Sequence, residues 1–300
     1  MGPIIETPDS PLTSLARWLA RWPLARLHRL GALLGWATWL LSPRYRRRLA
    51  EHAALAGLSS AERRQAVAEA GRLAAEVPWL WLMPAHQRLG ELVSWPDDRL
   101  IRDAVQAGRG LLLLTPHLGS FEVAARAAVE RFGPQAPVTV LYRPARQPWL
   151  RQMEETARHR PGLATAPASL AGVRQMLRAL KRGEIVGLLP DQVPPLGQGV
   201  WAPFFGRPAY TMTLAARLAR QTGAAIGLIW CERLPHGTGY VVHLAPLAEP
   251  LPADDETAAA AVINRSMEQV IRALPTQYLW GYHRYKSPRR PKPGHEGDPG

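Results

Sequence analysis

Cysteine occurs once in the 300 residues, at Cys231, which excludes an intrachain disulfide framework and any cysteine-cluster metal site. Lysine is nearly as scarce. Only Lys181, Lys286 and Lys292 stand among the 37 basic residues, against 24 acidic ones. The net charge of +13 is therefore carried by arginine, the side chain suited to a bidentate grip on phosphate or carboxylate. Phenylalanine is outnumbered by tryptophan, 4 to 11. Charge-free runs are short. In the apolar N-terminal region the longest, Leu30 to Pro43, falls below the ~20 residues that a spanning helix needs. No small-residue cleavage site follows it, so a cleaved signal is also disfavoured.

Several chemistries are missing as well. There is no G-x-S-x-G elbow, no H-E-x-x-H, no phosphate-binding P-loop and no G-x-G-x-x-G after a strand. The nine histidines are scattered singly, so neither a metal nor another cofactor is expected. No zinc-finger or other nucleic-acid signature accompanies the basic charge, and nucleic acid is not an expected partner.

What is present begins with a basic, tryptophan-rich front. Residues 1–50 hold eight arginines (17, 21, 26, 29, 44, 46, 47, 48) against Glu6 and Asp9, with Trp18, Trp22, Trp36 and Trp39 interspersed. Tryptophan favours the headgroup level of a bilayer and arginine clusters favour anionic lipid. Residues 1–57 are thus expected as a helical segment that associates with a phospholipid membrane, with an ordinary packed helical hairpin as the alternative. A helix follows from Leu58 to Met83, opened by Ser59 and Glu62 at capping-box spacing.

From Gly108 the chain alternates. Strands are expected at Leu111–Thr115, Val138–Tyr142, Ile185–Leu189, Ala225–Cys231 and Tyr240–Leu244, the last two as a hairpin across Pro235-His236-Gly237. Helices are expected at 120–131, 148–159, 169–182, 211–222 and 258–274. This pattern predicts an α/β fold with a mostly parallel central sheet flanked by helices, over residues 58–286. Residues 287–300, rich in proline and glycine, are expected as a disordered basic tail.

In such sheets ligands gather beyond the carboxyl ends of the strands. Past the first strand stand His117, Gly119, Ser120 and Glu122; past the second, Arg143; past the third, Asp191 and Gln192; and Arg207 follows in a Pro- and Gly-rich loop. His117 and Glu122 are five apart, which puts them on different faces of one helix. They meet only if His117 folds back from the preceding loop, as Pro116 and Gly119 permit. A histidine held by a carboxylate is a general base. The amides of Gly119 and Ser120, at the helix start, are candidate oxyanion donors. By spacing alone, His117 is as compatible with a structural loop histidine. Arg174, Arg178, Lys181 and Arg182 fall on one face of a predicted helix, either a solvated face or a docking surface for an acidic protein.

Taken together, His117-Leu-Gly-Ser-Phe-Glu122, Tyr142-Arg143-Pro144, Leu189-Pro190-Asp191-Gln192, Phe204-Phe205-Gly206-Arg207-Pro208, Trp280-Gly-Tyr-His-Arg-Tyr-Lys286 and the tryptophan-rich front resemble the lauroyl and myristoyl acyltransferases of lipid A biosynthesis, over about residues 15–286. The resemblance implies a membrane enzyme on the cytoplasmic face of the inner membrane. It implies transfer of a fatty acyl chain from an acyl carrier protein or coenzyme A thioester to a lipid hydroxyl. His117 would act as base oriented by Glu122, Arg143 and Arg207 would contact phosphate or oxyanion, and Asp191 and Gln192 would position groups or bind the acceptor. The acceptor stays open between a lipid A precursor, an amino-acid lipid and a lysophospholipid. A non-catalytic lipid-binding protein of the same fold is the remaining alternative. In the closing segment Gly281 and His283 depart from the family pattern.

Overall fold

The structure, a computed structural model, describes residues 11–290 apart from 85, 143, 144 and 146. In chain order the elements are α1 (Pro11–Leu19), α2 (Leu24–Leu41), α3 (Pro43–Leu55), α4 (Ser60–Leu82), β1 (Val93–Ser94), α5 (Arg99–Ala107), β2 (Leu111–Leu114), α6 (Phe121–Phe132), β3 (Val138–Tyr142) and α7 (Pro148–Arg158). Then come β4 (Leu163–Pro167), α8 (Leu170–Lys181), β5 (Ile185–Leu188), β6 (Gly199–Phe204), β7 (Arg207–Met212), α9 (Leu214–Thr222), β8 (Ala225–Arg233), β9 (Tyr240–Ala245) and α10 (Glu256–Ala273).

Seven strands form one sheet in the order β1-β9-β8-β2-β5-β3-β4. Every neighbouring pair is parallel except β8 and β9, the antiparallel hairpin. All four residues of β2 are buried, as in a strand covered on both faces. One face packs against α3, α8, α9 and α10 through Leu112, Leu114, Val186, Leu188, Met176, Leu218 and Ile263. The other packs against α2, α5 and α6 through Leu111, Leu113, Ile185, Leu27, Ile101 and Ala127.

The sequence expectations meet four differences. Residues 163–167 form a strand, because Leu163–Pro167 pairs with β3 in parallel and so completes that sheet edge. Val93 and Ser94 pair with β9 at the other edge. Thr211 lies in a strand rather than a helix. The loop expected after β5 contains the β6–β7 hairpin, closed at Phe204↔Arg207 by Phe205 and Gly206, both at positive φ (47° and 74°), the geometry of a two-residue primed turn. The capping box at Ser59 and Glu62 is present.

The N-terminal helices are packed onto the body. Gly31 and Gly35 of α2 meet Gly71 of α4 so closely that a Cβ on Gly71 would lie 2.0 Å from the Gly31 carbonyl oxygen. This crossing buries Leu27, His28, Gly31 and Gly35 and leaves Leu33, Leu34, Leu40 and Leu41 facing outward. Among the described residues no helix is long and apolar enough to cross a membrane. Of the expected tail, residues 291–300 lie outside the described residues; the Leu196 amide donates to the Arg289 carbonyl (3.0 Å) just before them.

Candidate active site

Register brings the reactive side chains together. Leu114 of β2 pairs with Leu188 of β5, and the ladder continues with the Thr115 amide donating to Leu188 (3.0 Å). Each strand then runs through a proline into a polar residue, Thr115-Pro116-His117 and Leu189-Pro190-Asp191, at the same offset. Asp191 consequently grips His117 twice. Its Oδ2 accepts the His117 backbone N–H (2.8 Å) and its Oδ1 accepts from the ring Nδ1 (2.7 Å). With Nδ1–H committed to the carboxylate, Nε2 holds the lone pair and accepts from the Gln192 amide (2.8 Å). The Asp191 side chain is buried while the His117 side chain is 15% exposed. Burial by itself raises the Asp191 pKa. The charge and hydrogen bonds of His117, with Arg284 nearby, more than reverse this and hold Asp191 below the usual carboxylate range.

Glu122 makes no hydrogen bond or ion pair with His117. It is the second residue of α6, and its Oε2 accepts from the indole N–H of Trp81 (3.3 Å) while Oε1 lies 3.7 Å from an Arg158 nitrogen. The reason is the five-residue separation: Glu122 starts the helix while His117 is held by Asp191 from the neighbouring strand. Glu122 remains close by, since both residues line the same cavity.

Gly119 and Ser120 also take a different role. The Gly119 amide donates to the Gln277 carbonyl (3.0 Å) and the Ser120 amide to the Cys231 carbonyl (2.7 Å), so neither is free for an oxyanion. Gly119 is at φ 57°, and a Cβ there would lie 2.0 Å from the Cys231 oxygen, so only glycine fits. The Leu279 amide donates to the His117 carbonyl (3.1 Å), so the C-terminal segment clamps the same loop. Below it, the Ser120 hydroxyl donates to Glu76 (2.6 Å), which also meets Arg233, His28 and Tyr240. Burial raises the Glu76 pKa, but the charge and bonds of Arg233, with those of His28 and Ser120, hold it down at about 2. Ser120 and Gly119 are thus positioning residues for the His117 loop.

Arg143 and Pro144 lie outside the described residues. Arg207 does not line the cavity; its guanidinium sits 4.8 Å from the Tyr285 ring centre on the β6–β7 hairpin, which packs with α10 instead of closing over β2. Arg174, Arg178, Lys181 and Arg182 are all exposed on or just after α8, as a shared face requires, but Arg182 is paired with Glu184 through two bonds of 2.6 and 2.9 Å. Arg158, which sequence reasoning missed, lines the cavity beside Glu122, stacks 4.8 Å from the Tyr142 ring centre and pairs with Glu154 (3.1 Å). Its position 36 residues after Glu122 carries no local signal.

The cavity has a volume of about 620 Å³, and His117 is in its lining together with residues from both faces of the sheet. One arm runs between α6 and the sheet, along Ala124, Ala128, Leu113, Val140 and Gly187. The other reaches α8 and α9 past Pro194, Val173 and Leu214. Its walls are mostly apolar, and Thr115, His117 and Gln192 line it just past the ends of β2 and β5. No cluster of metal-ligating side chains occurs among the described residues.

The chain is 32% identical over 206 residues to a lipid A biosynthesis lauroyltransferase of Escherichia coli (64% of this chain, 65% of the relative). It is 29% identical over 205 residues to a palmitoleoyltransferase of lipid A biosynthesis from the same organism, with the same coverage. It is 26% identical over 185 residues to a phosphatidylinositol mannoside acyltransferase of Mycolicibacterium smegmatis (60% and 58%). The matched region thus spans about two thirds of the length of the first two relatives. The family model for bacterial lipid A biosynthesis acyltransferases matches residues 14–287, and the chain belongs to that family.

Proposed function

We propose that this protein transfers a fatty acyl chain from an acyl thioester to a hydroxyl of a lipid A precursor or a closely related lipid, with His117 as general base and Asp191 as the carboxylate that orients it. The observation that carries this reading is the Asp191–His117 pair, with His117 in the lining of a largely apolar cavity.

The acceptor hydroxyl displaces the Gln192 amide and hands its proton to Nε2 of His117. The alkoxide oxygen forms a bond to the thioester carbonyl carbon, and the C–S bond breaks on collapse. The departing thiolate takes the proton back from the imidazolium and leaves as a thiol. Asp191 stabilises that imidazolium, the established use of a carboxylate behind a histidine base. Arg217, the other arginine in the lining, is paired with Glu256; with the Gly119 and Ser120 amides engaged, Arg158, 3.7 Å from Glu122, is the cavity cation assigned to the developing oxyanion. A C12 chain buried in the α6 arm gains about 8 kcal/mol at ~0.8 kcal/mol per methylene.

The donor reading is an acyl carrier protein in preference to coenzyme A. What supports it is the exposed triad Arg174, Arg178 and Lys181 on α8, whose N-terminal turn (Leu170, Val173) lines the cavity. The same reading places the protein on the cytoplasmic face of the inner membrane, attached through outward-facing Leu33, Leu34, Leu40 and Leu41 together with exposed Trp18, Arg44 and Arg47. The test is mass spectrometry of lipids after incubating membranes with the purified protein and an acyl thioester. One added acyl chain is expected with the native protein and none with His117→Ala. Undiminished transfer by His117→Ala overturns the assignment.

A further inference from the structure

Two glycines lie in the same row of the sheet and on the same face. Leu113 of β2 pairs with Gly227 of β8 on one side and with Gly187 of β5 on the other, and Gly187 pairs in turn with Val140 of β3. A glycine inside a strand forfeits packing and marks a site where something else comes close. At Gly227 that something is visible: a Cβ would lie 2.6 Å from Leu100 of α5, and the residue is buried. At Gly187 nothing takes the space. A Cβ there would meet only the Val140 Cγ1, at 3.4 Å. Gly187 is half-buried between fully buried Val186 and Leu188, in the middle of the sheet, because the α6 arm of the cavity opens onto it.

On its helix side the arm is lined by small side chains. Ala124 and Ala128 of α6 line it on one side, and Ile185 and Val138, paired with each other, line it two residues further in. Ile185 lies two residues before Gly187, about 7 Å deeper at ~3.3 Å per residue. A chain that enters from His117 therefore passes over Gly187 to reach the last 7 Å or so of the arm.

We infer that Gly187 is the gauge of acyl-chain length: its missing side chain admits the distal end of a long saturated chain, and any side chain there shortens the chain that fits. This rests on the acyl-transfer reading above. The backbone at Gly187 is not in the left-handed region, so substitution costs no backbone strain. Methylene-scale misfit in an apolar pocket changes kcat/KM by about 10- to 200-fold per methylene, enough to read as a sharp cut-off.

The experiment compares the native protein, Gly187→Ala and Gly187→Leu with saturated acyl thioesters from C8 to C16, scored both as transfer and as binding of the matching free fatty acids by native mass spectrometry. Gly187→Leu is expected to move the preferred length down by several carbons and to keep or improve kcat/KM for short chains. Gly187→Ala moves it by less. Gly227→Ala, which presses on Leu100, lowers stability without moving the preference. A length profile of Gly187→Leu that keeps its maximum, in binding as well as transfer, overturns the inference. Absence of transfer by the native protein with every thioester sinks the acyl-transfer reading instead, and the binding profile still decides the gauge.

Discussion

Replacing Asp191 by asparagine tests the core of the site. The carboxylate makes two bonds to one residue, 2.8 Å from the His117 amide and 2.7 Å from Nδ1. An asparagine keeps the shape and retains one oxygen for the amide. Its NH2 then faces Nδ1, which must accept instead of donate. The ring changes tautomer, Nε2 carries the proton, and the base toward the acceptor is lost along with the charge that stabilises the imidazolium. Positioned general bases contribute about 10²–10⁴ in rate, and the equivalent change in a serine protease triad costs about 10⁴. We expect kcat to fall by about 10²–10⁴, or 2.7–5.4 kcal/mol of barrier at 1.36 kcal/mol per tenfold. KM for the thioester should stay nearly unchanged. The assay is single-turnover transfer of a radiolabelled acyl chain, run on Asp191→Asn, His117→Ala, the double variant and Glu122→Gln. Groups that act as one unit are not additive, so the double variant should be no slower than His117→Ala. Glu122→Gln keeps an oxygen for Trp81 and leaves the His117 tautomer alone, so its loss should be smaller and add to that of Asp191→Asn. Asp191→Asn within tenfold of the native kcat, or a double variant more than tenfold slower than His117→Ala, refutes the pairing.

Three further outcomes follow from the same structure. The Glu76 pKa falls from 4.5 to about 2 on folding, so its stabilisation is complete above pH 4.5 and disappears as pH drops toward 2. Glu76→Gln leaves buried Arg233 with Glu69 alone; denaturant melts should show a loss of about 3–5 kcal/mol at pH 7, shrinking steadily below pH 4.5. Charge reversal at Arg174, Arg178 and Lys181 should raise KM for an acyl carrier protein donor at least tenfold while leaving a coenzyme A donor unchanged; equal effects on both donors remove the docking role. Serine at Leu33, Leu34, Leu40 and Leu41 together should abolish sedimentation with anionic vesicles while thermal melting stays near native; unchanged sedimentation shows that this face does not hold the membrane.

Much of the body was legible in the chain because it obeys local rules. Four successive leucines bounded by Gly110 and Pro116 read as a buried strand, and they are one. Ser59 and Glu62 read as a helix start for the same reason. The short edge strands and the β6–β7 hairpin were missed. Leu163–Pro167 is a strand only because β3 lies beside it, and Phe205 takes a positive φ that its own type disfavours. The tryptophans differ by location: Trp280 is buried in the core, Trp81 reaches Glu122, and Trp18, in the front expected at a membrane, is exposed on α1.

The sequence by itself determined which residue types stand at the strand ends, since hydrophobic runs, turns and caps are read within a few positions along the chain. It therefore named His117, Asp191, Gln192 and Glu122 as neighbours of one site. Which carboxylate holds the histidine was decided only in three dimensions. Parallel pairing of Leu114 with Leu188 lays two loops of equal length side by side, and that sets Asp191 against Nδ1 although 74 residues separate it from His117, while Glu122, only five away, is carried off by the first turn of α6 toward Trp81 and Arg158.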